Sequence, residues 1–193
     1  PAAGILVEKI FSMDAAWAFT VAALLWVYLG IQKGQVTQDG LTGLNNRRRL
    51  DQYMWELDER SGERETCCYL LMDVNKFKKV NDTYGHVTGD EVLRLVAEQL
   101  KRTFGNMQAF LARYGGDEFV VIVKGKTQDE MDVIIHQTQE NVNAIAWGAD
   151  TPWQLSISIG CAMRGEQGKQ KSHELLALAD ERMYRQKKGI QDR

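Results

Sequence analysis

Two consecutive glycines, followed at once by two acidic residues, constrain the fold of this 193-residue chain more than any other feature. Gly115–Gly116 separates two apolar runs, Ala109–Ala112 and Phe119–Val123. A glycine pair between such runs predicts a tight β-hairpin, because primed turns require positive φ at their central residues. The turn leads directly into Asp117–Glu118, and a hairpin does not need these acids in order to fold. The hairpin tip is therefore predicted to hold a metal ion or to handle a proton.

Another acid stands at the end of a second predicted strand. The run Cys67–Met72 is apolar throughout, which is typical of a strand buried on both faces, and Asp73 follows it. Burying a carboxylate is costly unless it is paired, hydrogen-bonded or bound to a metal. If this strand lies beside the hairpin, Asp73 and Asp117 meet and can hold Mg²⁺, which prefers oxygen ligands. Either acid alone would fit a solvated loop, but the two together at strand ends indicate a metal site.

The segment between these acids, Phe77–Glu91, is dense in glycine and hydrogen-bonding side chains, which predicts a shaped loop. Thr88 and Glu91 have the spacing of a capping box, and the apolar residues after them recur every three or four positions. This pattern predicts a helix that begins at the box and stops at Gly105.

Asn81 and Asp90 are predicted to lie on either side of a turn in this segment. An amide and a carboxylate can together read the edge of guanine, because the carboxylate accepts from its donors while the amide pairs with its acceptors. Asp90 by itself would be explained equally well by the electrostatics of a helix start.

The remaining pattern predicts an α/β (α+β) fold. Asp129–Ala146 and Ser172–Lys187 have helical spacing, and Gln154–Cys161 alternates as a strand does. The order of these elements predicts a mainly antiparallel central sheet covered by helices.

Composition fits one globular core and gives no reason to expect nucleic-acid binding. The chain is 44% hydrophobic and 26% charged, with a formal net charge of −2. The triplet Arg47–Arg49 is better explained as a solvated helix face than as a phosphate patch. Cys67, Cys68 and Cys161 lack CxxC spacing, so they are interpreted as reduced core residues in a reducing compartment.

The uncharged segment Ala15–Ile31 precedes this domain and has Thr20 as its polar residue. As a helix it would nearly match the bilayer core, which is about 30 Å thick. Lys33 and the arginine triplet follow, and positive charge after a span favours a cytoplasmic C-terminal domain. We therefore expect a helix anchored in the inner (cytoplasmic) membrane, with a buried dimerisation helix as the alternative.

The expected organisation is a hydrophobic helix and linker over residues 1–35 and a globular domain over residues 36–193. A cleaved signal peptide fits poorly, because the residues before the apolar segment are not basic. Since the sequence begins at Pro1 rather than at methionine, we expect a longer protein with a sensor domain upstream.

Several separated motifs resemble the GGDEF domain of diguanylate cyclases. They follow the family's order and spacing in the stretches Asp39–Arg48, Asp73–Asp90, Gly115–Phe119 and Ala179–Lys187. The resemblance implies the palm-like fold that nucleotidyl cyclases share with polymerases. It also implies an enzyme that joins two GTP molecules into cyclic di-GMP and releases two pyrophosphates.

The resemblance further implies a metal site and a catalytic pair. The carboxylates of Asp73 and Asp117 and the backbone carbonyl of Val74 would bind Mg²⁺, with Mn²⁺ able to replace it. Glu118 would support the metals, and Asp117 or Glu118 would help deprotonate the ribose 3′-hydroxyl.

By the same resemblance, the residues that would bind the nucleotide form two groups. The residues that would contact the guanine are Asn81, His86 and Asp90. The residues that would bind the phosphates are Phe77, Lys78 and Lys187.

Each domain of this family would hold one GTP. Two subunits must therefore face one another to form the cyclic product, and we expect a homodimer. The alternative is an inactive module that binds GTP or cyclic di-GMP and signals through its helix. The retained Gly-Gly turn and its two acids favour the enzyme, because inactive relatives usually lose one of them.

Departures from the family pattern occur in three places. The Arg-x-x-Asp product site is replaced by Asn106 and Ala109, which predicts no strong product inhibition through that surface. Asn75 stands where aspartate is frequent, and we expect this to be tolerated. Where the family has a closing arginine this chain has Gln191, so the γ-phosphate would have one cation fewer unless Lys188 or Arg193 replaces it.

Overall fold

This computed structural model describes residues 16–27, 37–59, 66–147, 154–165 and 170–191. The chain divides into two compact units, Pro1–Thr37 and Gln38–Arg193. The described part of the first unit contains one helix, and all the described strands belong to the second unit.

Residues 16–27 of the first unit form helix α1, and every side chain along it is exposed, including Trp17 and Trp26. The predicted span Ala15–Ile31 extends beyond this helix, and residues 15 and 28–31 lie outside the described ranges. Within those ranges no helix is both long enough and apolar enough to cross a membrane.

The second unit is built on one sheet. Its strands are β1 (Cys67–Val74), β2 (Ala109–Gly115), β3 (Glu118–Lys124) and β4 (Ile157–Met163). They lie in the order β2-β3-β1-β4, and every neighbouring pair is antiparallel. All eight residues of β1 are buried, because helices cover both faces of the sheet. The predicted antiparallel sheet and the doubly buried first strand are confirmed.

The helices of the second unit are α2 (Arg47–Glu59), α3 (Phe77–Tyr84), α4 (His86–Phe104), α5 (Gln128–Asn143) and α6 (Ser172–Gln191). The α2 and α6 helices pack on one face of the sheet, and α3, α4 and α5 cover the other. Because side chains alternate along a strand, the two faces of β1 contribute to separate cores.

Each core is closed by the apolar face of its helices. Under α2 and α6 the inward side chains include Leu50, Leu57, Leu175, Ala179 and Met183. The other core is dominated by α4, with Val92, Leu93, Val96, Leu100 and Phe104. Burying one large apolar side chain contributes about 1.5–3 kcal/mol. Gly105 ends α4 as predicted, and its N–H donates to the carbonyl of Lys101.

The predicted loop over Phe77–Glu91 is wrong, because this segment forms α3 and the start of α4. Val80 is buried, and Phe77 and Tyr84 pack against the same core, so α3 has one inward apolar face. The polar residues between them concealed this helical period. At Gly85 the φ angle is 84°, a left-handed value that lets the chain leave α3 and enter α4 directly.

The predicted capping box at Thr88 and Glu91 is also wrong. The α4 helix already begins at His86 and has no side-chain cap, while the Thr88 hydroxyl donates to the last carbonyl of α3 at 3.0 Å. A capping box occurs instead at the start of α5, between Thr127 and Glu130. The other predicted ends differ from the observed ones by a few residues.

The two outer strands of the sheet have covered edges. Asn45 bonds the backbone of β2 on one side. On the other side, the Ile159 N–H donates a hydrogen bond to the side chain of Gln186 at 2.6 Å. The side chain of Arg182 donates one to the carbonyl of Cys161, also at 2.6 Å. Such cover hinders the pairing of a further strand.

Candidate active site

Three acidic residues meet at one end of the sheet. Asp73, near the end of β1, is directly opposite Glu118, the first residue of β3. The Val74 N–H donates to the carbonyl of Asp117 at 3.3 Å and ties the hairpin tip to β1. The neighbouring positions of β1 and the hairpin therefore bring Asp73, Asp117 and Glu118 together.

The hairpin turn differs in detail from the predicted one. Gly115 is the last residue of β2, and the turn residues are Gly116 and Asp117. Gly116 has a φ of 43°, while Asp117 is not left-handed, so only the first turn residue requires glycine. The register shifts between Arg113 and Gly115, and bulges of this kind often redirect side chains beside functional sites.

Arg113 braces this turn and links it to the segment before α2. Its Nε and Nη2 donate to the carbonyl of Gly116 at 3.0 and 2.8 Å, and its Nη1 donates to Asp39 at 3.2 Å. Asp39 also accepts from the N–H and the hydroxyl of Thr42, at 2.9 and 2.7 Å. Burial tends to raise the pKa of Asp39, but the hydrogen bonds from Thr42 and Arg113 outweigh it and lower the pKa.

Negative charge accumulates around the three acids. Burial raises the pKa of Asp73 and the charge of Asp117 raises it further, although Lys187 opposes them. Burial also raises the pKa of Glu118, together with the charges of Asp73, Asp117 and Asp180. Like charges that share a site disfavour ionisation, so both carboxyls hold protons more tightly than exposed ones do.

Lys187 brings positive charge to this cluster from α6. Its ammonium lies 2.6 Å from the carboxylate of Asp73, whose side chain is 9% exposed. The helix reaches this position because Gly160 of β4 lets the two backbones approach, and a Cβ there would overlap the backbone of Ala179 and Met183. The ion pair thus depends on tertiary packing rather than on local sequence.

The donor chemistry of the cluster fits a hard divalent cation. Asp73, Asp117 and Glu118 offer carboxylate oxygens, and burial together with the neighbouring negative charges raises the pKa of both Asp73 and Glu118. Across the described ranges, no three His, Cys, Asp or Glu side chains are already arranged as a metal-binding group. A cation that binds Asp73 would compete with Lys187, because the ammonium of Lys187 already pairs with this carboxylate.

The start of α3 follows Asp73 closely in the chain and offers backbone N–H groups. Its N-cap residue, Lys76, is left-handed with a φ of 58° and provides no side-chain cap. Phe77 and Lys78 are the first helical residues, and the first N–H groups of a helix have no acceptor within it. A helix start of this kind attracts phosphate and other anions. The sequence did not reveal Lys76, because lysine rarely adopts this conformation.

The three predicted guanine contacts surround the junction of α3 and α4. Asn81 lies against Gly89, where a Cβ would overlap the side-chain amide oxygen of Asn81. His86 and Asp90 are both exposed on the first turns of α4. Gly89 therefore permits the close crossing that holds Asn81 beside the turn that carries Asp90. This requirement follows from how two helices cross, which the sequence did not reveal.

Asn75 is used in packing β1 against β4. Its amide nitrogen donates to the hydroxyl of Ser156 at 3.0 Å, and its amide oxygen accepts from Ser158 at 2.7 Å. An ionised aspartate could not donate the first of these hydrogen bonds. The amide thus has a local role that the family's more frequent aspartate would not fill.

The other departures from the family pattern have these positions. Asn106 precedes β2, and Ala109 begins it, at the end of the strand opposite the hairpin turn. Lys188 lies over an aromatic ring of its own helix, 4.7 Å from the centroid. The side chain of Gln191 and the whole of Arg193 lie outside the described part of the chain.

A family model described as the GGDEF domain of diguanylate cyclases matches residues 36–193. The chain belongs to this family. This GGDEF protein is 27% identical over 189 residues to the diguanylate cyclase DgcP of Pseudomonas aeruginosa. It is 38% identical over 156 residues to the probable diguanylate cyclase DgcI of Escherichia coli K12. The alignments cover 97% and 78% of this chain but only 27% and 31% of the relatives, so the chain spans less than a third of their length.

Solved GGDEF structures share the fold. The coiled coil and GGDEF domain of DgcB from Caulobacter crescentus, solved in complex with c-di-GMP, has a TM-score of 0.74 and 28% sequence identity. The match covers 92% of this chain and 95% of that chain. The FimX GGDEF domain from Pseudomonas aeruginosa has a TM-score of 0.72 over 79% of this chain and 94% of that chain, and at 22% identity it shows likeness of fold alone. The predicted fold class and family are confirmed.

Proposed function

We propose that this chain is a diguanylate cyclase, which condenses two GTP molecules into cyclic di-GMP and releases two pyrophosphates. The observation that carries the proposal is the meeting of Asp73, Asp117 and Glu118 beside Lys187 at the hairpin tip. Membership of the GGDEF family and the names of the relatives support the same reaction.

The carboxylates of Asp73 and Asp117 and the carbonyl of Val74 would hold Mg²⁺, or Mn²⁺ in its place. A divalent ion bound there supplies positive charge that stabilises phosphate oxygens and acidifies an attacking hydroxyl. Glu118 lies opposite Asp73 and adds to the negative charge that attracts the ion. In the GTP complex we expect the ammonium of Lys187 to leave the carboxylate of Asp73 and to contact a phosphate oxygen instead.

The nucleotide would lie along α3, from its first turn to its junction with α4. The N–H groups of Phe77 and Lys78 and the ammonium of Lys78 would bind the triphosphate. Asn81 and Asp90 would pair with the edge of the guanine, and His86 would line the same pocket. Asn81 is supported for this role by its fixed position against Gly89.

The attacking 3′-hydroxyl must lose its proton, and we assign this step to Asp117 or Glu118. A general base works best when its pKa is not far below the working pH. The raised pKa of Glu118 makes it a stronger proton acceptor than an exposed glutamate. Asp117 directly precedes it in the chain, and the Val74 N–H that donates to the carbonyl of Asp117 keeps this residue beside β1.

We infer that the helical part covers residues 1–35 and the catalytic domain residues 36–193. The division between Thr37 and Gln38 and the family match from residue 36 support this boundary.

One GTP per domain leaves the cyclic product half assembled, so two catalytic domains must face each other. The exposed apolar side chains of α1 support pairing through this helix, and the DgcB structure likewise combines a coiled coil with a GGDEF domain. Since GTP is an intracellular substrate, we expect catalysis in the cytoplasm.

The alternative function is a GTP- or cyclic di-GMP-binding module without catalysis. The observation in its favour is the Lys187 contact, which occupies a carboxylate that a metal would need. The two functions differ in whether GTP is consumed, so a product assay distinguishes them.

The test is to incubate the purified chain with GTP and Mg²⁺ and to separate the nucleotides by chromatography. We expect cyclic di-GMP from the parent and a rate lower by about a hundredfold or more from Asp117→Ala, because the variant loses a metal ligand and candidate base. Asp51→Asn, on the exposed side of α2, is the matched control and should retain the parent rate.

The oligomeric state must be measured in the same samples. Intact GTP in a sample verified as dimeric would favour the binding module. Intact GTP in a monomeric sample would instead indicate that the facing half-site is missing. Equal rates for the parent and Asp117→Ala would contradict the assigned site.

A further inference from the structure

Two cysteines lie side by side in the sheet, away from the proposed nucleotide contacts. The Sγ atoms of Cys68 in β1 and Cys161 in β4 are 2.9 Å apart. In the register of the two strands Leu70 is opposite Cys161, so Cys68 and Cys161 form a diagonal pair. Both side chains belong to the core that is covered by α4 and α5.

We propose that Cys68 and Cys161 are a reversible thiol–disulfide pair that responds to peroxide. The sulfurs of a disulfide are about 2.0 Å apart, so bond formation requires them to approach by roughly 0.9 Å. Both side chains already point to the same face of neighbouring strands, which is the orientation that a cross-strand disulfide needs. Disulfides of intracellular proteins are typically transient and serve redox sensing. The proposal does not depend on the cyclase activity.

One cysteine of the pair is partly exposed and the other is buried, which suits a pair in which only one thiol meets the oxidant directly. Cys161 is partly exposed and can meet a small oxidant, whereas Cys68 is only 1% exposed and is reached through its partner. The guanidinium of Arg182 donates to the backbone carbonyl of Cys161 at 2.6 Å and thereby holds this residue of β4 in place.

Cys67 provides an internal comparison within the same strand. It is 3% exposed and belongs to the opposite core, under α2 and α6, because successive side chains alternate across β1. The neighbour of Cys68 in sequence is therefore placed on the wrong face to reach Cys161. Geometry rather than cysteine content selects the reacting pair.

The proposed reaction uses one hydrogen peroxide per pair. The Cys161 thiolate attacks one peroxide oxygen, the O–O bond breaks, and a sulfenic acid forms as hydroxide leaves and takes up a proton. The sulfur of Cys68 then attacks the Cys161 sulfur and displaces its oxygen, and the Cys68 proton completes a second water. Two thiols are oxidised to a disulfide, and one peroxide is reduced to two waters. A dithiol reductant reverses the change.

The cross-link would join the two strands that support the carboxylate cluster. The β1 strand carries Asp73, and β4 packs through Gly160, the neighbour of Cys161, against the helix that carries Lys187. Oxidation would thus link β4 to β1 covalently, at a position in the sheet that is separate from the Asp73–Lys187 contact.

The first experiment treats the whole purified chain with hydrogen peroxide, without nucleotide or metal. The protein is then unfolded in N-ethylmaleimide, digested and measured by mass spectrometry. We expect a cross-linked pair of peptides, lighter by two hydrogens than their sum, that disappears on reduction. Cys67→Ala should keep this cross-link, and Cys161→Ala should lose it. A cross-link through Cys67, oxidation of Cys161 without a cross-link, or unreacted thiols would each overturn the proposal.

A second measurement tests whether the bond fits the native sheet. A native cross-link over 93 residues restricts the unfolded chain, so the thermal midpoint of the oxidised parent should rise by roughly 5 °C or more. The rise should be present in Cys67→Ala, absent in Cys161→Ala and reversed by dithiothreitol. A cross-linked protein with a lowered midpoint would show that the bond forms only in a distorted state, which would overturn the proposal.

Discussion

Glu118 occupies a position that lowers the stability of the fold whenever its carboxyl is ionised. Burial and the charges of Asp73, Asp117 and Asp180 raise its pKa above the ordinary value of 4.5. The folded state therefore holds this proton more tightly than the unfolded chain does. The stability that the proton contributes is complete below the ordinary pKa and is lost as the pH rises through the raised one.

We predict that Glu118→Gln raises the thermal midpoint near neutral pH, because the amide removes the ionised carboxyl from a crowded site. The gain should shrink as the pH falls below the ordinary pKa, where the parent side chain is protonated too. Thermal unfolding over a pH series measures both effects. Asp51→Asn, at an exposed position of α2, is the control and should leave the thermal midpoint at neutral pH close to that of the parent. A Glu118→Gln variant that is no more stable than the parent at neutral pH would contradict the prediction.

Single residues could be predicted from the sequence where they break a local rule. Asp73 ends an apolar strand and Asp117 follows a glycine turn, and each is out of place without a partner or ligand. The contact between Lys187 and Asp73 could not be predicted, because 114 residues separate them and their meeting depends on how α6 packs. Lys76 was missed for a different reason, since its unusual φ leaves no signature in residue type.

The contact between β4 and α6 shows how one glycine sets the position of an element. At Gly160 a Cβ would overlap the backbone of Ala179 and Met183, so the strand and helix are closer than other residues allow. This close packing sets the height at which the last turns of α6 pass the carboxylate cluster. The position of Lys187 is therefore a property of the packed elements.

We predict that Gly160→Ala destabilises the fold by about 1–3 kcal/mol, because the added methyl group must displace backbone rather than a flexible side chain. Gly189→Ala is the matched control in α6, where a Cβ meets nothing within 4 Å. It should be neutral or stabilising by up to about 1 kcal/mol, since alanine favours a helix over glycine. Urea unfolding measures both, and equal stability of the two variants would refute the close-packing argument.

Elements with a strong period were predictable, and elements with a mixed pattern were not. The continuous apolar run of β1 and the regular apolar face of α4 required burial, so strand and helix followed from them. The α3 helix was interpreted as a loop because only Phe77, Val80 and Tyr84 show its inward face among many polar residues. The box at Thr88 failed since Gly85 had already turned the chain into α4.

At the scale of the whole molecule, the described part of residues 36–193 contains the proposed carboxylate cluster and the proposed guanine contacts. Under the proposed function a single copy would position one GTP, while the product contains two guanosine phosphates. The proposed nucleotide site lies within residues 36–193, so the second GTP would have to come from another subunit. The exposed apolar side chains of α1, with Trp17 at 67% and Trp26 at 79% exposure, offer a surface through which two chains could associate.

We predict that the rate per subunit falls on dilution, because the proposed active species is a dimer and dissociation would leave isolated half-sites. Adding excess Asp117→Ala subunits to a fixed, low amount of parent provides a second test. Mixed dimers would contain one defective half-site, so the variant should suppress the parent rate after subunits exchange. Asp51→Asn subunits, each of which keeps its half-site intact, should instead increase the total rate. A parent rate per subunit that stays constant over the full dilution range, in samples shown to become monomeric, would exclude the facing half-site arrangement.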